Sequence, residues 1–273
     1  MALLPGDEKI KRFYKFRPAN CHTLYNLVKQ QLRFSYPREF NDPFDCALRI
    51  TFDGAVQDWQ KWLDEMGLSS ADRNNLEQYL ASIDYNGKAF DQSKYPEDIN
   101  SLLVLALSEI NDHILLWSHY AENHKGICLG FATRIEGNSL GILFDEPTLT
   151  FSVHGVTKGF LPVRKAKYTR TMPEPYNRLK DDNRKLMEFS IAKHVDWEYE
   201  SERRIVLPKS VVGTQFLRYD KSTLEEVIFG YRTSDDFKKD VRDIIEKYYS
   251  GTPVQLYQAK PKEGEYSLII EKI

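Results

Sequence analysis

Glu198, Glu200 and Glu202 recur at every second position in Asp196-Trp197-Glu198-Tyr199-Glu200-Ser201-Glu202-Arg203-Arg204-Ile205-Val206-Leu207. Trp, Tyr, Ile and Val favour strands, and a repeat of two is the strand repeat. The segment therefore predicts a strand over 197–207 with the three carboxylates and Arg204 on one face. Neighbouring carboxylates would sit roughly 6–7 Å apart. At an effective dielectric near 20 each pair would repel by about 2–3 kcal/mol, against well under about 1 kcal/mol in bulk water. The row is thus cheap on a solvated edge strand, where Glu and Arg also guard against aggregation. In a cleft it is costly, and there its chemistry would be proton transfer and stabilisation of developing positive charge.

Leu115-Leu116-Trp117-Ser118-His119-Tyr120-Ala121-Glu122-Asn123-His124-Lys125-Gly126 is the second dense segment, and it runs into the apolar Ile127-Cys128-Leu129-Gly130-Phe131. Gly126 suits the position just past a helix end. His119 and His124 are catalytic or metal-ligand candidates, or a core residue and a helix-end residue respectively. Their spacing of five differs from the i, i+4 pair of a zinc helix. Arg17 follows an aromatic run and precedes Pro18, a place for a phosphate or carboxylate fork or a plain surface charge. Ser108 ends the apolar run from Leu102 and suits either a cleft or a turn cap. Asn41-Asp42-Pro43-Phe44-Asp45 carries two carboxylates, which suit a metal or, more simply, Asx turns in the loop itself. The chain has no GxxxxGK[ST], GxGxxG or GxSxG motif, which argues against NTPase, Rossmann and α/β-hydrolase readings.

These residues need elements to hold them. A first strand spans Phe13 to Phe16. Asn20 is placed to cap a helix over Cys21–Gln31, with Leu24, Leu27 and Val28 on one face. A short strand follows at Leu32–Ser35, then an ordered Pro-rich loop. Residues 55–100 read as an insert of two or more amphipathic helices carrying Trp59, Trp62, Leu63, Met66, Leu76, Tyr79 and Leu80. Leu102–Ser108 is a buried strand, Asp112 can cap a helix over His113–Glu122, and Gly126–Phe131 is a strand. A strand-rich region covers 141–168 and a long helix about 175–194. Strands at Val227–Phe229, 253–259 and 265–271 enclose a helix near 234–249. No βαβ rhythm runs through this order, so the fold class is α+β.

The chain has 273 residues, a net charge of −2, 41% hydrophobic residues and 13% aromatics. It is long enough for a full core and is read as one domain, globular rather than disordered. The balanced charge gives no broad basic surface for nucleic acid. Three scattered cysteines, with no CxxC pair, fit a reducing cytoplasm. No segment is apolar for long enough to span a membrane.

Four segments together resemble the DUF2971 family, a largely bacterial and phage-associated group without an assigned function. They are Tyr14-Lys15-Phe16-Arg17; Phe34-Ser35-Tyr36-Pro37 with Phe40-Asn41-Asp42-Pro43-Phe44-Asp45; Trp117-Ser118-His119-Tyr120-Ala121 with Lys125-Gly126; and Trp197, Tyr199, Glu200, Glu202 and Arg204. A second resemblance is mechanistic. ADP-ribosyltransferases carry an Arg or His on an early strand, a Ser or Tyr at a strand end beside an aromatic helix and a Glu on a later strand, often written E-x-E, in that chain order. Arg17, Ser108 and Glu200-x-Glu202 follow it, although Ala106-Leu107-Ser108 keeps only the last serine of the usual second motif.

This resemblance implies a split, mixed or antiparallel sheet with flanking helices, NAD as substrate, no metal, and a macromolecular acceptor in a toxin or phage-defence setting. It implies that Glu202 stabilises an oxocarbenium-like ribose, that Glu200 orients the acceptor, that Arg17 holds NAD, and that Trp117, His119 and Tyr120 wall the nicotinamide. Arg17, Ser108 and Glu202 must then converge on one cleft. Two other classes remain open: a divalent-metal nuclease or hydrolase using Asp42, Asp45, His119, Glu200 and Glu202, and a non-catalytic binding module.

Overall fold

The computed structural model of the protein describes residues 3–65, 74, 101–145, 149 and 157–273. Eight strands form the main sheet: β1 Arg12–Arg17, β2 Leu102–Ser108, β3 Ile127–Ala132, β4 Arg164–Lys165, β5 Glu202–Pro208, β6 Leu224–Phe229, β7 Gln255–Pro261 and β8 Leu268–Lys272. Across the sheet they run β8-β7-β6-β3-β1-β2-β5-β4. Only β6 and β7 pair in parallel, so the sheet is mixed and the class is α+β as expected. Helices among the described residues include α1 Cys21–Lys29, α2 Val56–Glu65, α3 Ile114–Tyr120, α4 Asn183–Ile191, α5 Lys209–Val212 and α6 Asp235–Tyr248. Among the described residues, no helix is long and apolar enough to cross a membrane.

Strand alternation divides the core between two faces. Phe13, Leu103, Leu105, Leu107, Leu129, Phe131, Ile205 and Phe229 point to one face, where Leu27 of α1 and Phe237 and Val241 of α6 pack on them. Phe16, Cys128 and Ile228 point to the other face, beneath Leu116 and Trp117 of α3. Burying a large apolar side chain in this way contributes about 1.5–3 kcal/mol.

The sheet has a seam. β1 pairs with β3 along its whole length, from Arg12 opposite Ala132 to Arg17 opposite Ile127. β2 pairs just as fully with β5, from Ser108 opposite Glu202 to Leu102 opposite Pro208. Between β1 and β2, however, the one registered pair is Tyr14 with Ser108. Beyond that pair the strands part. Ser35 takes over part of the β2 edge, exchanging two 2.9 Å backbone bonds with Val104. The Lys15 ammonium reaches across and donates to the Ala106 carbonyl at 2.8 Å.

Three segments differ from expectation. The 197–207 strand begins only at Glu202, because Val195–Glu200 is a 3-10 helix that ends at Ser201 in the left-handed region (φ 45°). The long helix at 175–194 shrinks to α4. Its N-terminal part pairs with Ile50–Thr51, the Asp182 side chain caps the helix by accepting from Arg184 N–H, and Ala192–His194 pairs with Lys167–Thr169. Asp112 does not cap α3; His113 holds that position, without a side-chain bond. Of the helical insert, α2 is seen, with Trp59 and Leu63 buried. Met66, Leu76, Tyr79 and Leu80 lie outside the described residues.

Candidate functional site

The seam opens into a cavity of about 470 Å³ on the α3 face, within the range of small-molecule sites. Ser108 at the end of β2, Glu200 at the end of the 3-10 helix, Glu202 at the start of β5, His119 and Tyr120 at the end of α3, and Lys193 after α4 all line it. Lys15 and Phe16 enter from β1, and Phe40, Asn41 and Asp45 come from the Pro-rich loop. The left-handed Ser201 allows the two glutamates to converge. It folds the chain back between the 3-10 helix and β5, so Glu200 and Glu202 meet at one ammonium although only one residue separates them.

That ammonium belongs to Lys193. It donates to Glu200 Oε2 and, at 2.6 Å, to Glu202 Oε2, with Asp45 3.8 Å away. Arg204 completes the network. Its Nη1 and Nη2 donate to the two oxygens of Asp45 at 2.7 and 2.6 Å, and its Nε donates to Glu202 Oε1 at 2.7 Å. Arg204 is 0% exposed, Glu202 3% and Glu200 4%. Burial alone would lift the Glu202 carboxyl, but Arg204 and then Lys193 hold it well below the usual carboxylate range. Burial would likewise lower the Lys193 ammonium, and Glu202 and Glu200 keep it raised instead. Glu202 is therefore a fixed charge with both oxygens occupied. Glu200 is freer, because its Oε1 accepts only the Tyr120 hydroxyl, at 2.6 Å, a neutral donor that a ligand hydroxyl could replace. Burial first, and then Glu200, push the Tyr120 hydroxyl upward.

The sequence candidates thus separate into two groups. Ser108, Glu200, Glu202, His119 and Tyr120 come together at the cavity. Ser108 acts as a strut, since its hydroxyl donates to the Glu200 carbonyl at 2.7 Å and accepts from Ile110 N–H at 3.1 Å. Arg17 does not join them. It sits one residue past Phe16 in the strand alternation, so its side chain lies on the α1 face, opposite Ser108 and Glu202. Trp117 is not a cavity wall either. It is 0% exposed, meets Phe16 edge-on at 5.2 Å and donates its indole N–H to Asn111 O at 2.7 Å. Glu198 is exposed. His124 stacks on Trp117 beside Ser118 as a helix-end residue. The glycine at 126 is required by close approach, since a Cβ there would lie 2.0 Å from the Arg17 carbonyl oxygen. Asp42 makes the Asx turn, accepting from Phe44 N–H at 2.9 Å.

Lys15 and Lys193 are the residues that sequence reasoning passed over. Lys193 carries no local signal, because its partners lie in β5 and the loop at 45. Lys15 did carry one: a lysine enclosed in the aromatic run Phe13-Tyr14-Lys15-Phe16 has to reach a partner or a cavity. Burial, with Arg17 second, brings its ammonium down to about 8, outweighing Glu202 and Glu200. Folded Lys15 thus sheds its proton before the unfolded chain does. Its charge costs stability below about pH 8, and that cost is relieved as the pH rises towards about 10.4. Competitive acylation mapped by mass spectrometry should show Lys15 reacting along a titration near pH 8, while exposed lysines follow one near ~10.4. An ordinary high-pH profile at Lys15 would show a solvated, fully charged amine.

A family model described as a protein of unknown function, DUF2971, matches residues 116–205. The matched stretch runs from α3 into β5 and so contains Tyr120, Lys193, Glu200, Glu202 and Arg204, while Asp45 and Lys15 lie outside it. No curated protein and no solved structure matches the chain.

Proposed function

We propose that the cavity is the active site of an NAD-dependent enzyme of the ADP-ribosyltransferase type. The observation that carries this reading is the convergence of Glu200, Glu202, Ser108, Tyr120 and His119, from three separate regions of the chain, on one cavity at the seam. In this reaction the bond from ribose C1′ to the nicotinamide nitrogen breaks, and its electron pair leaves with nicotinamide. Positive charge develops on the ribose, and a nearby carboxylate stabilises it. An acceptor oxygen or nitrogen then bonds to C1′ and gives up a proton. The occupancy of the two carboxylates divides these roles. Glu200, with its exchangeable Tyr120 partner, faces the ribose hydroxyls and takes the acceptor proton, while Glu202, held by Arg204 and Lys193, fixes the geometry. Arg17 lies on the α1 face, so its convergence with Ser108 and Glu202, which the resemblance requires, is not met. The cavity and its carboxylates carry the proposal, and that resemblance does not. Lys15 is the β1 cation that reaches this cavity.

A divalent-metal reading is less favoured, because Asp45 and Glu202 already spend their oxygens on Arg204 and Lys193. Among the described residues, no group of three or more His, Cys, Asp or Glu is arranged to hold a metal ion. The test is nicotinamide release from NAD by the full chain, with and without cell extract as a source of acceptor. Glu200→Gln, which keeps the shape of the side chain, should lower the rate by about 10²-fold or more. Absence of release under every condition would sink the reading, and so would a Glu200→Gln variant that is folded and fully active.

A further inference from the structure

The α1 face of β1 carries a second constellation, which shares Lys15 with the cavity. Arg17 ends the strand half-buried. Among the described residues, no carboxylate or other acceptor meets its guanidinium; the charges around it are of like sign, with Arg33 and burial both disfavouring its charge and Lys15 feeling Arg17 in turn. Arg33 has one partner, Glu39 at 2.7 Å, at a site open to solvent. Thr23 of α1 is 1% exposed, and its hydroxyl has no hydrogen-bond partner. A helical threonine ordinarily bonds back to a carbonyl one turn earlier, and a buried hydroxyl left unpaired is costly. All four residues line one recess, together with the side-chain amides of Asn26 and Gln31. Its enclosed part is about 10 Å³, room for one oxygen-sized group.

We infer that Lys15, Arg17, Arg33 and Thr23 form a binding site for a phosphate-class anion, a phosphate monoester or a diphosphate, which seats one oxygen in the recess and keeps the rest at the cationic rim. Arg17 meets no carboxylate among the described residues and Arg33 meets only the solvent-open Glu39, so the recess calls for a multiply charged ligand, which a simple carboxylate is not. The Thr23 hydroxyl donates to the seated oxygen, and the Arg17 fork takes two others. The inference shares Lys15 with the opposite cavity but rests on Arg17, Arg33 and Thr23, and it stands whether or not that cavity cleaves NAD.

Calorimetric titration of the full chain at low ionic strength, with sodium pyrophosphate, ADP and adenosine as separate ligands, tests it. Pyrophosphate and ADP should bind saturably and adenosine should not. ADP binding tighter than pyrophosphate would assign the phosphate to a nucleotide, and equal affinities would assign it to the free anion. Arg17→Met should weaken pyrophosphate binding by about tenfold or more. The unliganded variant should melt no lower than wild type, because it loses a charge that has no partner, and Thr23→Val should weaken binding by a smaller factor. No saturable binding of pyrophosphate to the wild-type chain would overturn the inference. So would undiminished binding to a folded Arg17→Met variant, or adenosine binding as tightly as ADP.

Discussion

Arg204→Met is expected to lose about 3–5 kcal/mol of unfolding free energy, read from the urea midpoint of the secondary-structure signal. The guanidinium is 0% exposed and makes a two-pronged bond to Asp45, a further bond to Glu202, and one to the Ser190 carbonyl at 2.9 Å. Methionine fills much of the volume but leaves Asp45 and Glu202 in the interior with Lys193 as their only cation. The cost is that of stranded charge rather than of lost packing, and two further measurements separate these causes. First, adding Asp45→Asn and Glu202→Gln to Arg204→Met should recover most of the loss. Second, the gap between wild type and variant should narrow in acid. Glu202 is held below its ordinary range, so in wild type its contribution is complete above about pH 4.3 and is lost as the pH falls below that value. The variant keeps only the part that Lys193 supplies, and so has less to lose. By contrast, the half-exposed Arg12–Glu225 pair should be worth less than about 1 kcal/mol. A loss of similar size at Arg204 would mean that water reaches its partners.

Trp117→Ala should cost about 3–5 kcal/mol, the usual range for emptying a large aromatic site. The indole is wholly enclosed between Phe16 and the His124 ring, and its N–H holds the Asn111 carbonyl. The damage should extend beyond stability, since α3 has seven residues and delivers Tyr120 to Glu200 from its last turn. Trp117→Phe should retain much of the packing and lose the hydrogen bond, so a loss of about 1–2 kcal/mol is expected. Comparing both variants by thermal melting and by nicotinamide release tests whether the anchoring of α3 sets the geometry at Glu200. Equal melting temperatures for wild type and Trp117→Ala would contradict the burial described above.

Much of this architecture can be read from the residues. Leu102–Ser108 is a strand with the expected ends, because six apolar residues closed by a serine leave little alternative. Asn20 caps α1 by accepting from Thr23 N–H, as its side chain allows. The failures have local causes. A period of two between Glu198 and Glu202 looks like a strand, but one left-handed serine turns that stretch into a 3-10 helix followed by a strand, and single-residue dihedral choices leave no periodic trace. The helix expected over 175–194 breaks where Asp181 and Asp182 bond to the backbone and side chains around them instead of extending the helix. Arg17 failed for a different reason. Chain order placed it with Ser108 and Glu202, but strand parity, which follows from Phe13-Tyr14-Lys15-Phe16-Arg17 once one inward residue is fixed, puts it on the opposite face. The carboxylates were legible because repeated charge stands out. Arg204 was legible beside them, but Lys193 and the bond from Arg204 to Asp45 were not, because these contacts arise only when the loop at 45, α4 and β5 meet.

The seam has a mechanical consequence. Each side of it is a continuous hydrogen-bonded ladder, and the two are joined by the Tyr14–Ser108 pair and the Lys15 tether to Ala106. Within the sheet, then, two complete ladders meet at one backbone pair and one side-chain tether, and their joint is carried instead by the apolar core they share beneath α1 and α6. A ligand that draws the Lys15 ammonium away from Ala106 removes that tether by the act of binding, so binding at this lysine is also a change in how the two ladders are joined.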